Sequence, residues 1–590
     1  MNCEERIWSN DNEISKLYKE IVHGSNEEYF KTFSIETGGG KTTTAIDAMC
    51  DAVSNPFIDN KYIFVSKFKS ECIKIVKEIN SRFNDPVAIA LIFDENIKDE
   101  CCTNNIFKIK NYKIVITTHS TYCNMSNPKS DKHIQINKII KNNFETLIID
   151  EEINPVKDSY FEFSKAEIES LQVMFNTYNK EIGNKFRNLV DKLLKELNSD
   201  EYRPLNQLHR IKEIDEEKYV IDQCYLEIKT EIKNMNEEWL EDNTDERTLS
   251  LLNKLEHIYD TWIAIFDNIA LINVKEGKIY SYNYMFNYLM LKNNIWLDAS
   301  AIFNTMYCNK LFDVVETERI IDHSKCKVNV IKIKTTTSSK NVDKNFRDDI
   351  TKYINENINK DSKGLVLTKK TECESLSKQD KYLKNNENVA ILNFENMRGV
   401  NDYSDYKQCF YIHTYRMSPA YYVFLYEYFN DTILSDKEIQ VKRINNIEWG
   451  FGNKKEIQDL MISDMASSMY QGLKRVQRNR NPEAIFHIFS KEIGVIGMAL
   501  KQMNGLVNKD LMNVLNERPK GNKQDIINFV DNIWDKKRVT CKDVYEELGI
   551  DKKIWSAIWK DENFLSEMKK RRVKIGLTKH SKKTMYLMKY

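Results

Sequence analysis

The chain has 590 residues, of which 41% are hydrophobic and 11% aromatic, a composition typical of a folded globular protein and not of a disordered one. Lys plus Arg and Asp plus Glu each number 88, so the net charge gives no indication of a nucleic-acid partner. Without an N-terminal apolar segment or an apolar run of about 18–20 residues, the sequence predicts a cytoplasmic protein with no membrane segment. The 12 cysteines form no C-x-x-C pair, so we expect reduced thiols and no metal site built on them.

A cluster of glycines marks the N-terminal region. The chain has only 17 glycines, yet residues 38–40 are three in a row and lead directly into Lys41 and Thr42. Apolar residues before the cluster predict a strand, and those after it predict a helix. In this context backbone N–H groups surround a phosphate, the lysine reaches the β- and γ-phosphates, and the threonine hydroxyl ligates Mg²⁺. The predicted nucleotide contacts are Thr37, Gly38, Gly39, Gly40, Lys41, Thr42 and Thr43.

Strand and helix patterns alternate from about residue 28 to residue 155. Short apolar runs of strand length are separated by segments such as Cys72–Ile79, which repeats apolar residues at helical spacing. The alternation predicts an α/β domain built on a parallel sheet, with functional residues at the carboxyl ends of its strands. The predicted strands are Tyr62–Val65, Val87–Phe93, Ile114–Thr117 and Leu147–Ile149.

Two carboxylates, Asp150 and Glu151, directly follow the last of these strands. In the same sheet as the glycine cluster, one carboxylate can hold Mg²⁺ and the next can activate the water that attacks a phosphate. We predict that Asp150 binds the metal together with Thr42 and that Glu151 is the base.

A basic segment, Gln471–Arg478, supplies the third group of candidate residues. If the segment is helical, Gln471, Arg475 and Arg478 have the spacing i, i+4 and i+7 and share one face. Two arginines on one face can reach the γ-phosphate and stabilise charge during phosphoryl transfer. The alternative is an ordinary basic helix with no catalytic role.

The rest of the chain divides by composition. We predict a first α/β domain over residues 1–155. Residues 156–290 are rich in Glu, Lys, Leu and Asn, with apolar residues at helical spacing, and therefore predict a helical insertion after this domain. The mixed charges of the insertion indicate either a solvated helical face or a surface for a protein partner. Strand patterns return between Ile295 and Ile412 and predict a second α/β domain over residues 291–505.

The last segment, residues 520–590, is predicted as a separate domain after a linker at Pro519–Asn522. Residues 521–590 contain 17 Lys and Arg against 10 Asp and Glu, so the segment is locally basic. We predict a helix over Ile526–Trp534, a second that is capped by Thr540 and runs through Leu548, and a third over Asp551–Lys560. Two strands are predicted to follow, over Val573–Leu577 and Thr584–Met588. This order is typical of a winged helix, whose last helix can enter a major groove.

Lysines of the third helix are the predicted DNA contacts of this domain, and basic residues of the tail are predicted to face phosphates. The lysines are Lys552, Lys553 and Lys560, and the tail residues are Arg571, Arg572, Lys582 and Lys583. The alternative is a helical protein-interaction module in which Trp555 and Trp559 pack in a core.

Taken in order, these motifs resemble those of superfamily 2 helicases, the DEAD/DEAH-box-like class with two RecA-like lobes. The specific matches are Glu36–Thr43, Asp150–Ile153 and Gln471–Arg478, which resemble motifs I, II and VI. The Glu-Thr-Gly form of motif I is most similar to that of type III restriction-enzyme translocase subunits. Weaker similarities to motif Ia, a later lobe 1 motif and motifs III, IV and V lie at Val65–Lys67, Thr117–His119, Leu297–Ala301, Gly364–Thr368 and Arg398–Tyr403.

The resemblance implies ATP as substrate and Mg²⁺ as cofactor. It implies that Lys41 and Thr42 bind phosphate and Mg²⁺, that Asp150 and Glu151 activate hydrolysis, and that Gln471, Arg475 and Arg478 act from the second lobe. It further implies nucleic-acid backbone contacts from Ser66, Thr118 and Thr368, with Gly399 and Asn401 lining the cleft. The sequence departs from the family pattern at Ile35, at the missing Thr after Ser300-Ala301, and at Lys474, where glycine is common.

The implied function is an ATP-dependent helicase or translocase on DNA, with a single strand between the lobes and a duplex at the C-terminal domain. Replication of phage or plasmid DNA is one context that this layout suggests. One alternative is the translocase subunit of a restriction or defence system. Another is a replication initiator that uses ATP as a switch and does not unwind. The cysteines between motifs I and II lack close pairing, so an iron–sulfur cluster is not expected.

Overall fold

The computed structural model describes residues 12–589 with gaps. The residues outside this description are 1–11, 95, 98, 128–130, 199–206, 212–216, 240–245, 332, 334–345, 359–361, 380–382, 384–386, 395–402, 445–446, 507, 513–521, 534–537, 579–580 and 590. Two predictions lie largely outside the described residues: the segment Arg398–Tyr403, of which Tyr403 alone is described, and the linker at Pro519–Asn522.

The first part of the chain alternates strands and helices as predicted. Its strands are β1 (Phe30–Phe33), β2 (Tyr62–Ser66), β3 (Ala88–Leu91), β4 (Cys102–Thr103), β5 (Ile114–Thr118) and β6 (Thr146–Asp150). Its helices are α1 (Asn12–His23), α2 (Lys41–Ser54), α3 (Lys69–Asn80), α4 (His119–Ser126), α5 (Asp131–Asn143) and α6 (Pro155–Ser159). Every residue of β2, β5 and β6 is buried, because helices cover both faces of the sheet.

The insertion is more than helical. It contains the helices α7 (Lys165–Tyr178), α8 (Lys180–Leu197), α9 (Lys218–Trp239) and α10 (Glu246–Phe266). It also contains the strands β7 (Phe161–Ser164), β8 (His209–Arg210), β9 (Leu271–Asn273) and β10 (Lys278–Ser281), which form a small antiparallel sheet in the order β7-β10-β9-β8. These strands were missed because they are short, and because long helices separate β7 and β8 from each other and from the β9–β10 pair.

After the insertion the chain returns to the first sheet. The strands β11 (Asn293–Leu297) and β12 (Phe312–Val315) complete an eight-stranded parallel sheet in the order β12-β1-β11-β6-β2-β5-β3-β4. The predicted boundary at residue 291 is therefore wrong, since β11 lies between β1 and β6. Leu297–Ala301 belongs to the first lobe and stands beside the glycine loop.

The strands of the second lobe are β13 (Lys327–Ile331), β14 (Gly364–Thr368), β15 (Val389–Asn393), β16 (Gln408–Ile412), β17 (Val441–Ile444), β18 (Ile447–Phe451), β19 (Ile485–Phe489) and β20 (Asn508–Met512). Six of them form a parallel sheet in the order β15-β14-β16-β19-β13-β20, and β17 and β18 form a separate hairpin. The helices of this lobe are α11 (Phe346–Asn357), α12 (Lys370–Gln379), α13 (Pro419–Asn430), α14 (Lys455–Leu473) and α15 (Ile493–Lys501).

The C-terminal domain has its own small core, which includes Trp555 and Phe564. Its helices are α16 (Asn522–Asn528), α17 (Cys541–Glu547), α18 (Lys552–Ile558) and α19 (Glu562–Lys570), and its strands are β21 (Arg538–Thr540), β22 (Val573–Thr578) and β23 (Ser581–Lys589). The strands form an antiparallel sheet in the order β21-β23-β22. Thr540 caps α17 as predicted, by accepting a hydrogen bond from the Asp543 N–H. The predicted third helix is shorter than expected, and α19 was not predicted.

A continuous apolar core joins the two lobes and the insertion. It includes Trp296 of the first lobe, Trp262 of the insertion and Tyr421 of the second lobe, all completely or almost completely buried. Within the described part of the chain, every helix is too short or too polar to span a lipid bilayer.

Candidate nucleotide-binding site between the lobes

The glycine loop between β1 and α2 has the backbone shape that its sequence requires. Gly38 and Gly40 have φ angles of 90° and 88°, in the left-handed region that residues with a Cβ rarely adopt. The loop closes through hydrogen bonds from Gly39 N to Glu36 O (2.9 Å) and from Thr44 N to Gly40 O (2.8 Å). The N-terminus of α2, with its unpaired N–H groups and positive dipole end, therefore faces the space that the loop encloses.

Lys41 lies inside this loop. Its Nζ donates to the carbonyl oxygens of Ile35 (2.6 Å) and Glu36 (3.4 Å). Burial lowers the pKa of Lys41 to about 8, against the opposing attraction of Asp150, Asp298 and Glu151. A bound polyphosphate would supply the negative charge that favours the ammonium form.

Asp150 stands at the carboxyl end of β6, opposite the first turn of α2. The Thr42 hydroxyl donates to Asp150 Oδ2 at 2.8 Å, so the two predicted metal ligands are in contact. Burial, followed by repulsion from Glu151, raises the pKa of Asp150 to about 7. A hydroxyl and a carboxylate are hard oxygen ligands of the kind that Mg²⁺ prefers, so the residues fit this ion.

Glu151 is held in an unusual backbone conformation at the boundary between the lobes. Its φ angle is 70°, and its N–H donates to Leu297 O at 3.0 Å. Its Oε1 is 3.4 Å from a terminal nitrogen of Arg475, so an ion pair joins the first lobe to the second. Strained backbone held by its surroundings is typical of functional sites.

The segment Gln471–Arg478 is not one helix. Helix α14 ends at Leu473, Arg475 N donates to Gly472 O in a tight turn, and Gln477 has a φ angle of 47°. The predicted shared helical face is therefore wrong for Arg475 and Arg478. The turn nevertheless brings both arginines to the first lobe.

Each of the three predicted residues of this segment meets the first lobe at a different point. Besides the Arg475–Glu151 pair, Gln471 Nε2 donates to Asp298 Oδ1 at 3.3 Å. The backbone of Arg478 lies 3.9 Å from the position that a Cβ on Gly38 would take. Burial and repulsion from Arg475 lower the pKa of Arg478 to about 9.

Asp298 is a buried carboxylate that sequence reasoning did not assign to the site. It accepts hydrogen bonds from Ser300 N (2.8 Å), Ser300 Oγ (2.7 Å), Tyr307 OH (2.5 Å) and Gln471 Nε2 (3.3 Å). Burial, followed by repulsion from Glu152, raises its pKa. The available signal was an acidic residue directly after the apolar run Ile295–Leu297, the same pattern that identified Asp150.

Lys474, noted above as a departure from the family pattern, is buried and has a specific partner. Its Nζ lies 2.8 Å from Nε2 of the buried His323. Burial lowers the pKa of Lys474 to about 8, while burial and the charge of Lys474 lower the pKa of His323 to about 4. At neutral pH these values describe a charged lysine that donates to a neutral imidazole.

The residues predicted to contact nucleic acid lie at the carboxyl ends of strands. Ser66 and Thr118 are register partners at the ends of β2 and β5. Both are buried: the Ser66 hydroxyl donates to Glu71 Oε2, and the Thr118 hydroxyl caps α4 by accepting from Thr121 N. Thr368 ends β14 in the second lobe, and its hydroxyl is buried without a hydrogen-bond partner among the described residues.

The C-terminal candidates divide into exposed and paired residues. Lys552, Lys553 and Lys560 are exposed, the first two in the first turn of α18 and the third beyond its end. Arg571 is instead held by Asp531 at 2.8 Å and Glu567 at 2.7 Å. For Lys582 and Lys583 the structure describes the backbone alone, in β23.

The structure has two α/β lobes, of which the first carries the glycine loop and the second carries the arginines that reach the first lobe. This arrangement is the RecA-like fold of helicase motors. Residues 16–176, which include most of the first lobe and the start of the insertion, match the family model described as DEAD/DEAH box helicase. No curated protein sequence matches the chain significantly.

Two solved helicase structures with TM-scores above 0.5 share the fold over most of the chain. A structure titled XPD helicase is 11% identical with a TM-score of 0.53 and covers 86% of this chain and 100% of its own. A second, titled XPD apo, is 13% identical with a TM-score of 0.53 and covers 84% of this chain and 100% of its own. A third, S. tokodaii Xpd4, is 11% identical with a TM-score of 0.47 and covers 85% and 98%. At these identities the similarity concerns the fold.

Proposed function

We propose that this protein is an ATP-dependent helicase or translocase that moves along DNA. The observation that carries the proposal is the ion pair between Glu151 and Arg475, because it places a candidate base and a candidate phosphate-binding arginine of opposite lobes in one site. A site that is completed only when the lobes meet can couple hydrolysis to a change in their relative position.

The roles of the residues follow from their positions. The N–H groups of the loop and Lys41 would bind the phosphates, and Glu151 would accept the proton of the attacking water. Arg475 and Arg478 would stabilise negative charge on the transferred phosphoryl group. Thr42 and Asp150 would hold Mg²⁺, which neutralises phosphate charge when it is bound.

The proposed path of the nucleic acid crosses the carboxyl edges of both sheets. Ser66 and Thr118 lie on this edge in the first lobe, and Thr368 lies on it in the second. Since all three hydroxyls are buried, backbone contacts there require the side chains to rearrange when a strand binds, and Ser66 and Thr118 must also exchange their present partners.

The C-terminal domain supports DNA rather than RNA as the substrate in this proposal. It is locally basic, and the exposed residues Lys552 and Lys553 lie at the start of a helix that could approach a duplex groove. A winged-helix role in duplex binding, and a place in phage or plasmid replication, are part of the same proposal.

ATP hydrolysis should be measured for the wild type and Lys41→Ala, with no nucleic acid and with single-stranded DNA, duplex DNA or RNA. The control is Lys77→Ala, which removes an exposed lysine of the same lobe. We expect hydrolysis that DNA stimulates, that Lys41→Ala abolishes and that the control retains. Absence of hydrolysis by the wild type under every condition would refute the proposal, and preferential stimulation by RNA would refute DNA as the substrate. Strand displacement with 3′ and 5′ tails then separates unwinding from translocation alone.

A further inference from the structure

Residues 316–326 connect the two sheets and form hydrogen bonds with both lobes at the cleft. Ile321 N donates to Glu36 Oε2 (2.9 Å), at the base of the glycine loop. On the second-lobe side, His323 Nε2 lies 2.8 Å from Lys474 Nζ. The backbone N–H of His323 donates to Asn504 O, also at 2.8 Å. The connector is therefore a structured wall of the site.

Arg319 of this connector bridges the lobes. One of its terminal nitrogens, Nη2, donates to Ala299 O in the first lobe and to Gln502 Oε1 in the second, both at 3.2 Å. Its guanidinium also lies over the ring of Tyr470, 5.5 Å from the centroid. These contacts fix the position of the side chain relative to both lobes.

The other terminal nitrogen of Arg319, Nη1, is buried and has no hydrogen-bond partner among the described residues. No described carboxylate lies within ion-pair distance of this arginine. A buried cationic donor without a partner is unfavourable, and such groups are ordinarily satisfied by a ligand, an ion or water.

Arg319 is also close to the phosphate-binding lysine. Its positive charge contributes to lowering the pKa of Lys41 on one wall and of Lys474 on the other. The position of the guanidinium on this side of the cleft follows from its bond to Ala299 O and from the bond of Ile321, two residues further on, to Glu36 at the base of the glycine loop. An anion bound there would relieve the repulsion among these cations.

We propose that Arg319 is a nucleotide-contacting residue whose Nη1 donates to a phosphate oxygen of the bound nucleoside triphosphate. This inference rests on the proposed function. It gives the connector a direct contact with the nucleotide, so that the segment joining the lobes responds to whether phosphate is present.

The test is direct binding of Mg²⁺ with β,γ-imido-ATP to the full-length chain, measured by calorimetry. The variants are Arg319→Met, Arg319→Lys and the control Lys325→Met, which removes an exposed, surface-paired cation from the same connector. We expect Arg319→Met to weaken binding at least ten-fold, Arg319→Lys to retain most of it, and Lys325→Met to bind like the wild type. The melting temperature of each nucleotide-free variant is recorded alongside.

Equal affinities of Arg319→Met and the wild type would overturn the inference while leaving the proposed function intact. Loss of binding in both Arg319 variants, together with lower melting temperatures without nucleotide, would also overturn it in favour of a structural bridge. If the wild type and Lys41→Ala show the same lack of binding, both the inference and the proposed function fail.

Discussion

Burial changes the acid–base chemistry of Lys41. Its ammonium donates to loop carbonyls and is attracted by the carboxylates of Asp150, Asp298 and Glu151, yet burial still lowers its pKa to about 8 from the usual 10.5. A nucleotide-free lysine of this kind loses its proton as the pH rises through 8. Bound phosphate groups favour the charged form and therefore raise the pKa again.

ATP affinity should fall as the pH rises above 8, because binding must then be accompanied by protonation of Lys41. The limiting slope is about ten-fold per pH unit for one proton taken up. Calorimetry at pH 8.5 in two buffers with different ionisation enthalpies measures the proton uptake directly. The same affinity from pH 7 to pH 9, with no buffer dependence, would contradict the assignment.

Asp298→Asn should reduce ATP hydrolysis about ten-fold or more, because one of its two acceptor oxygens becomes a donor, either Oδ1, which faces Ser300 and Gln471, or Oδ2, which faces Tyr307. Asp313→Asn, an exposed change in strand β12 of the same sheet, is the matched control and should leave the rate unchanged. Steady-state ATPase assays check both variants. Equal rates for Asp298→Asn and the wild type would show that this carboxylate has no role in holding Gln471.

At the scale of elements, local patterns were predicted well and long-range pairing was not. The glycine loop and the strand that ends at Asp150 could be predicted because each depends on neighbouring residues. The place of Asn293–Leu297 in the first sheet could not, since its partner β6 is separated from it by the whole insertion. The sequence did not predict that α14 ends at Leu473. No proline follows the helix, and Gly472, the one glycine nearby, lies within its last turn and not after it.

The φ angle of Gly40 is 88°, a value that residues with a Cβ rarely adopt. Alanine there would be strained by about 1–2 kcal/mol, although a Cβ would meet no atom within 4 Å. We expect Gly40→Ala to fold and to bind ATP about ten-fold more weakly, because strain of this size moves the N–H groups that face the phosphate. Gly497→Ala in α15, which also meets no atom within 4 Å, should retain ATP affinity. Equal ATP affinity of Gly40→Ala and the wild type in a binding titration would argue against this loop shape.

The insertion is tied to the second lobe by a buried ion pair between Arg210 and Glu427. Arg210→Met leaves the carboxylate buried without its partner, and we expect a loss of about 3–5 kcal/mol in the free energy of unfolding. Adding Glu427→Gln should recover much of this loss, since the amide oxygen can still accept from Leu434 N. Urea denaturation of the two single variants and the double variant measures the coupling. Additive losses would show that the pair does not join the insertion to α13.

At the scale of the whole molecule, the site is shared between parts of the chain that are more than 300 residues apart. The first lobe supplies the glycine loop, Asp150 and Glu151, and the second supplies Gln471, Arg475 and Arg478. The resemblance of short motifs predicted this division, but it did not predict the connector. Arg319 belongs to no motif, and its position depends on contacts with both lobes that only the folded chain brings together.

Hydrolysis by Arg475→Ala tests most directly whether the lobes share one catalytic site. We expect the rate of DNA-stimulated ATP hydrolysis to fall by about 10³-fold, with ATP binding largely retained. Arg480→Ala, which removes an exposed arginine five residues further along the chain, should hydrolyse ATP at the wild-type rate. If Arg475→Ala also hydrolyses ATP at the wild-type rate, the second lobe does not complete the site, and the proposed coupling between hydrolysis and lobe movement is wrong.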